Sequence, residues 1–283
     1  MKRTANYFLA ITVFLITMLF FSLGPTVITL GAALGGVIFG GESGLDRAYY
    51  FLMDHLNFYS VLVYLLAFVT FALWYYFAYM EREGTGRFLN TRLRRVPPAG
   101  YGWIAVLTFA MQHVTSIIFA VIAIILPKAM EAYTNMVEDS GMSDYSIMWA
   151  VSTLILPPLT EEIIFRGLIQ GYLKKARAPF LLANLIQAVM FGIFHMNLVQ
   201  GIYAGLLGLI LGYLAERYGT LIAPMFMHLL FNLFGTVLVD LENMSMPDIL
   251  YLLLVFLSVP LLVLTLLMIK FRVGERKQEN VRL

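Results

Sequence analysis

The sequence predicts an all-α membrane protein, a bundle of about eight transmembrane helices with an intramembrane polar cavity and both termini in the cytoplasm. Two observations predict the class. The 283 residues are 60% hydrophobic and 13% charged, with a mean hydropathy of +0.82, whereas soluble domains carry about a quarter charged residues. The apolar segments are also continuous runs of about 20 residues, which is typical of membrane helices and not of a transmembrane barrel.

Eight apolar segments define the predicted spans. They cover residues 7–39, 57–80, 102–126, 147–172, 179–196, 199–215, 219–239 and 249–270. The first run is too long for the apolar core of a cleavable signal peptide, so we expect a retained helix. An alternative for this span is a longer helix with a re-entrant, glycine-rich end from Gly31 to Gly41.

Polar residues inside the apolar segments cluster in spans four to seven. We therefore divide the chain into a packing half, about 1–145, a chemical core, 146–240, and a last helix with a basic tail, 241–283. Four glycines of the sixth span allow close helix approach, and packing is the expected role of Gly201, Gly205, Gly208 and Gly212.

Charges alternate between successive loops, which predicts the orientation. The basic loops contain Lys2, Arg3, Arg82, Arg87, Arg92, Arg94, Arg95, Lys174, Lys175, Arg177, Arg217, Lys270, Arg272, Arg276 and Lys277. The opposite loops contain Glu131, Glu138, Asp139, Asp144, Asp240, Glu242 and Asp248. The positive-inside rule then puts both termini in the cytoplasm. We expect an integral multi-pass protein of the plasma membrane in a bacterium, or of an endomembrane in a eukaryote, that contacts lipids and no nucleic acid.

Two adjacent glutamates and an arginine interrupt the fourth span. Charged residues at bilayer depth are unfavourable by about 2.5–3.5 kcal/mol each, so they mark function or internal pairing. Glu162 and Arg166 stand at i,i+4 and pair on one face, while Glu161 lies about 100° around the helix, free to face a cavity. The preceding Pro157 and Pro158 predict a kink or a widened turn. The alternative is a structural ion pair beside a protonated spare glutamate.

Two histidines complete the polar set. With the hairpin turn at Ala178, Glu161 and His195 are equally distant from it, about 25 Å along antiparallel helices, and therefore lie side by side. Asn184 is three turns before His195 and lines the same predicted pocket. His228 and Asn232 share one face of the seventh span at i,i+4. An interfacial histidine and a helix-bridging His–Asn pair are the structural alternatives.

A carboxylate, two imidazoles and a carboxamide around a membrane cavity have the groups of a hydrolytic site. The same side chains offer a two-histidine, one-carboxylate metal site, formed by Glu161, His195 and His228, for a divalent ion such as zinc. The absence of cysteine excludes disulfides, thiolate ligands and a cysteine nucleophile. His113, with its neighbour Gln112, either edges the cavity or packs, and His55 is expected at the interface.

Three motifs carry a family resemblance over about residues 145–238. Glu161-Glu162-x-x-x-Arg166, Phe191-x-x-x-His195 and His228-x-x-x-Asn232, in this order, resemble the signature motifs of the CPBP family. That family comprises the CAAX prenyl protease type 2 enzymes and the bacterial Abi-type intramembrane endopeptidases.

The resemblance implies an eight-helix bundle that cleaves an extended, membrane-delivered peptide near its end. It implies that Glu161 is the base that activates water, assisted by His195. His228 and Asn232 would hold the oxyanion, with Glu162 and Arg166 in support. Members have been described both as metalloproteases and as metal-independent glutamate proteases, and we favour the second because adjacent glutamates with an oxyanion pair need no ion.

The sequence therefore predicts an intramembrane endopeptidase for CAAX-type or bacterial peptide processing, whose partners are membrane-associated peptides or proteins. Two alternatives remain at this stage. A non-catalytic scaffold could retain the same fold, and a proton-coupled transporter could use the same ionisable groups. The absence of internal repeats counts against the transporter.

Overall fold

The computed structural model describes residues 2–81, 83–140 and 145–282, and the regular structure in these ranges is helical, without a β-strand. Ten helices follow in chain order: α1 Lys2–Asp54, α2 Leu56–Met80, α3 Thr85–Leu93, α4 Pro98–Ile125, α5 Pro127–Asp139, α6 Ile147–Lys175, α7 Phe180–Phe194, α8 Leu198–Tyr218, α9 Ile222–Ser245 and α10 Asp248–Arg282.

Seven of these helices are long and apolar enough to cross a membrane, by length and composition: α1, α2, α4, α6, α8, α9 and α10. The remaining predicted span corresponds to α7, which has 15 residues. The all-α membrane fold is confirmed. The cytoplasmic position of the termini stays a prediction, and two of the charges used for it, Arg82 and Asp144, lie outside the described residues.

The chain reverses within α1 at a glycine. Gly41 has φ 63° and ψ −153°, which interrupts the helix. The two arms then touch through their backbones, because a Cβ placed on Gly36 would lie 2.4 Å from the carbonyl oxygen of Gly44. The first helix is therefore longer than the predicted span and turns back at Gly41, whereas a re-entrant position of this end in a membrane stays a prediction.

The chain forms two compact units. The first unit consists of Met1–Tyr79 and Met136–Ala178, and it contains α1, α2 and α6. The second unit consists of Met80–Asn135 and Pro179–Leu283, and it contains α3, α4 and α7 to α10. The functional division into residues 1–145, 146–240 and 241–283 stays a prediction.

In the first unit, α2 and α6 pack side by side and run in the same direction. Ser152 Oγ donates to Asn57 Oδ1 over 3.1 Å near the start of both helices. Trp74 Nε1 donates to the Tyr172 hydroxyl over 3.0 Å near their ends. The contacts advance together along both helices, so these two hydrogen bonds fix the register of α2 against α6.

In the second unit, α7 and α8 form a close antiparallel hairpin. A Cβ on Gly192 would lie 2.6 Å from the carbonyl oxygen of Gly201, and a Cβ on Gly201 would lie 2.9 Å from that of Gly192. Only glycine permits two helix backbones to approach so closely. Close packing, which the sequence predicted for the glycines of α8, is confirmed at Gly201.

Asn184 also stabilises this hairpin. Its Nδ2 donates to the carbonyl oxygen of Leu209 over 3.0 Å, and its Oδ1 accepts from Gln187 Nε2 over 2.8 Å. A Cβ on Gly212 would lie 1.9 Å from Asn184 Oδ1. These bonds give Asn184 a structural role in the hairpin, and its place in the pocket with His195 stays a prediction.

Replacing Gly192 with alanine is expected to destabilise the second unit by about 1–3 kcal/mol, because the new methyl group meets backbone that cannot turn away. Thermal unfolding in detergent micelles measures the loss. The matched control is Gly102→Ala in α4, where nothing lies within 4 Å of the new Cβ. That variant should be neutral or more stable by up to about 1 kcal/mol. Equal behaviour of the two variants would contradict the close approach.

Candidate functional site

Helix α6 departs from regular α-helical hydrogen bonding on either side of the two glutamates. Ala150–Ile155 and Ile163–Ile169 are π-helical, and Leu156–Glu162 between them is α-helical. Pro157 and Pro158 follow the first π segment directly. Because proline has no backbone N–H, carbonyl groups one turn earlier lose their helical partners and the turn widens. The widened turn predicted from the prolines is confirmed, whereas the second one was not predicted.

Glu162 and Arg166 form an ion pair in the interior of the first unit. Arg166 Nη1 donates to Glu162 Oε1 over 2.9 Å, and both side chains are fully buried. The guanidinium also lies over the ring of Phe165, 5.9 Å from its centroid. A buried charge without a partner is strongly destabilising, so each of these groups requires the other. The predicted i,i+4 pair is confirmed.

Glu161 faces a different neighbour. Its residue is 2% exposed, and its Oε1 accepts a hydrogen bond of 2.7 Å from the hydroxyl of Tyr64 on α2. The two glutamates therefore point to different partners, as their 100° separation on the helix predicts. Tyr64 is bonded to one oxygen of Glu161, and the expectation that Glu161 faces a cavity stays a prediction.

Sequence reasoning did not identify Tyr64. It sits in an apolar span with other aromatic residues, and no pattern in the sequence separates it from Tyr59 or Tyr75. Its direct contact with Glu161 makes it a further member of the candidate site.

His195 lies at the carboxyl end of α7, where it is half-buried. Its ring packs edge-to-face on Phe191, with ring centroids 5.0 Å apart, and also contacts Phe194 at 5.3 Å. The next residue, Met196, has φ 51°, an uncommon backbone conformation that turns the chain sharply towards α8. This turn holds the imidazole at the helix end, beside the start of the following helix.

His228 lies in the first half of α9 and is 4% exposed. Its ring also packs edge-to-face on Phe191, with centroids 5.8 Å apart and an interplanar angle of 80°. Both imidazoles therefore share one aromatic neighbour, although they belong to different helices. Asn232, one turn after His228, is half-buried. Phe191, the first residue of the second motif, thus joins the two predicted histidines.

The helix that carries His228 is fixed at its start by the basic segment before α4. Gly219 adopts φ 64° between α8 and α9, and its carbonyl oxygen accepts from Arg92 Nη1 over 2.8 Å and also from Arg95 Nη1. Burial, and then the neighbouring charge of Arg92, lower the pKa of the Arg95 guanidinium. These arginines, which the sequence analysis used to predict orientation, also position the turn before α9.

The far end of α9 is fixed by a second buried pair. His113 Nε2 lies 3.5 Å from Glu242 Oε1, and His113 Nδ1 lies 3.0 Å from the carbonyl oxygen of Phe109. Glu242 was predicted in an acidic loop, but α9 extends to Ser245 and buries it. Of the two roles open for His113, packing is the one observed in the second unit.

The structure divides the predicted site residues into two groups. The first unit holds Glu161, Glu162 and Arg166 on α6, and the second unit holds His195, His228 and Asn232. Within either unit, the described residues include no group of three His, Asp or Glu side chains placed to hold a metal ion. The joint site, and with it the alternative metal set Glu161, His195 and His228, stays a prediction.

The region that holds the three motifs is similar to a peptidase family model and to one bacterial protein. Residues 143–234 match the family model "Type II CAAX prenyl endopeptidase Rce1-like". Over 96 residues the chain is 36% identical to "Putative membrane peptidase YdiL" of Bacillus subtilis (strain 168), a match that covers 34% of this chain and 38% of that protein. No solved structure matches significantly. The family match contains all three motifs, so the resemblance to the CPBP family is confirmed over this region, in an integral membrane protein.

Replacing His113 alone with leucine is expected to destabilise the protein by about 1–3 kcal/mol, because it leaves the buried carboxyl group of Glu242 without its partner. The double variant His113→Leu/Glu242→Leu should lose less than the His113 variant, since neither polar group remains. Thermal unfolding in detergent compares them. His55→Leu, at an exposed histidine, is the control and should stay within about 0.5 kcal/mol. Additive losses in the double variant would contradict a direct pair.

Proposed function

We propose that the protein is an intramembrane endopeptidase in which Glu161 activates water to hydrolyse a peptide bond of a membrane-delivered protein or peptide. The observation that carries this proposal is the different partnership of two adjacent buried glutamates. Glu162 faces a guanidinium at 2.9 Å, whereas Glu161 accepts from a neutral hydroxyl at 2.7 Å. A carboxylate paired with arginine is a poor proton acceptor. The division of roles therefore favours Glu161 as the base and Glu162 as its structural support.

The proposed reaction uses one water molecule. Glu161 accepts a proton from this water while the water oxygen forms a bond to the scissile carbonyl carbon. His228 and Asn232 donate hydrogen bonds to the oxyanion that develops on the carbonyl oxygen. When the C–N bond breaks, the proton passes from Glu161 to the leaving amine nitrogen, with His195 orienting the water and assisting the transfer.

The second unit supports a joint role for its two histidines. Both imidazole rings pack on Phe191, at centroid distances of 5.0 and 5.8 Å. A shift of the Phe191 ring would therefore move both imidazoles. Asn232 follows His228 by one helical turn, a spacing that lets both side chains bond to the same group. We propose that this cluster acts with Glu161 on the same peptide bond.

The proposed substrates are peptides brought to the site by their own membrane attachment. The family model's description names CAAX prenyl endopeptidases, and the Bacillus relative is named a membrane peptidase. Both names fit cleavage close to a membrane anchor. We therefore propose either C-terminal segments beyond a lipidated cysteine or bacterial membrane peptides as substrates.

Replacing Glu161 with glutamine is expected to lower cleavage by about 100- to 10,000-fold, since an amide cannot accept the proton from water. Because the substrate is not yet identified, the measurement is mass spectrometry of new peptide termini in membranes that contain either protein. Termini present with the wild type should be absent with the variant. Glu131→Gln, at an exposed glutamate of α5, should give the wild-type set. An unchanged set with Glu161→Gln would contradict the proposal.

Removal of divalent metal is expected to leave the rate unchanged, because the proposed base and oxyanion donors need no ion. The measurement is the rate at which the wild-type-dependent termini appear. It is made after dialysis against a chelator and again after zinc is added back. A rate that falls with the chelator and returns with zinc would instead favour the metal set of Glu161, His195 and His228.

A further inference from the structure

Tyr64 is the side chain through which α2 reaches the candidate base. It is half-buried, and its hydroxyl donates to Glu161 Oε1 over 2.7 Å. Its ring packs edge-to-face on Phe21 of α1, with centroids 5.1 Å apart. The residue lies far outside the region 143–234 that matches the peptidase family model.

We propose that Tyr64 is a positioning residue for Glu161, whose hydroxyl orients the carboxylate towards the water that it activates. The inference rests on the proposed function of Glu161. A carboxylate rotates about its last carbon–carbon bond, and that rotation decides which oxygen meets the substrate water. A donor held at Oε1 fixes the plane of the group before the substrate arrives.

The position of the Tyr64 hydroxyl is itself fixed by the packing of α2 on α6. Towards the start of both helices, Ser152 bonds to Asn57. Towards their ends, Trp74 bonds to Tyr172. Tyr64 therefore lies between two hydrogen bonds that prevent α2 from sliding along α6. A hydroxyl held in this way imposes its geometry on Glu161.

Glu161 has a particular need for an external contact. It lies in Leu156–Glu162, a short α-helical segment with a π-helical turn at each end. Widened turns hold a helix less rigidly than regular hydrogen bonding, so the orientation of this segment depends on its neighbours. Tyr64 supplies the contact from α2.

A neutral donor suits this task better than a cation. Arg166 shows the alternative within the same helix, because it pairs with Glu162 and compensates its negative charge. A phenol orients a carboxylate by a hydrogen bond and brings no net charge. The tyrosine thereby directs Glu161 and leaves it able to accept a proton.

The test uses Tyr64→Phe, which removes the hydroxyl and retains the ring that packs on Phe21. The matched control is Tyr59→Phe on the same helix. Tyr59 is also half-buried, and its hydroxyl bonds to Thr29 Oγ1 at 3.3 Å. Both variants are assayed as full-length protein in liposomes with a quenched peptide of ten residues that reproduces one wild-type-dependent cleavage site.

We expect Tyr64→Phe to lower kcat about 10- to 100-fold, the effect of losing one hydrogen bond to a charged group. KM should change less than about threefold, since Tyr64 does not touch the substrate. Tyr59→Phe should retain the wild-type kcat. A Tyr64 variant with wild-type kcat, or a loss equal to that of Tyr59→Phe, would overturn the inference.

A double-mutant cycle on unfolding tests the contact without activity. The loss of melting temperature caused by Tyr64→Phe should shrink when Glu161 is already alanine, because the acceptor is gone. Equal losses in both backgrounds would overturn the contact. A wild type that yields no specific cleavage, or a Glu161→Gln variant with full activity, would instead remove the proposed function and the inference with it. The two failures are thus distinguishable.

Discussion

The buried pair of Glu162 and Arg166 is the interaction on which the arrangement of the first unit depends. It compensates two charges within a single helix, which allows α6 to bury this face, and the burial of this face sets the rotation of α6 at that level. Because consecutive residues point about 100° apart, this rotation turns Glu161 towards α2. The hydrogen bond to Tyr64 follows from it. One charge-compensating contact thus gives two identical neighbouring side chains different partners, a guanidinium for Glu162 and a hydroxyl for Glu161.

In the second unit, contacts from other helices, and not a pair within one helix, hold the helix that carries His228. Helix α9 is held at both ends by groups from outside the helix, at Gly219 by two arginines and at Glu242 by His113. Between these anchors lie His228 and its aromatic neighbour Phe191. Polar contacts at both ends define the depth and rotation of the helix between them, as the proposed role of His228 and Asn232 requires.

Local spacing in the sequence predicted the local features of the site. The i,i+4 separation predicted the ion pair of Glu162 and Arg166, and the two prolines predicted the widened turn before them. Contacts between helices could not be predicted, because they depend on the rotation and register of neighbouring helices. Tyr64, Asn184 and Glu242 all belong to this second kind: one aromatic, one amide and one acid whose partners lie 25 or more positions away.

The two π-helical turns of α6 have a consequence for how this helix tolerates changes of length. Each turn holds one residue more than regular α-helical bonding requires, so each rotates everything beyond it by about 100°. A helical wheel drawn through the whole segment consequently assigns the wrong face to residues after Ala150. Deleting a single amino acid that follows Arg166 within this second π segment would restore regular bonding locally and rotate the residues beyond it by about 100° relative to Glu162. A fully regular α6 would therefore place its last residues on the wrong face.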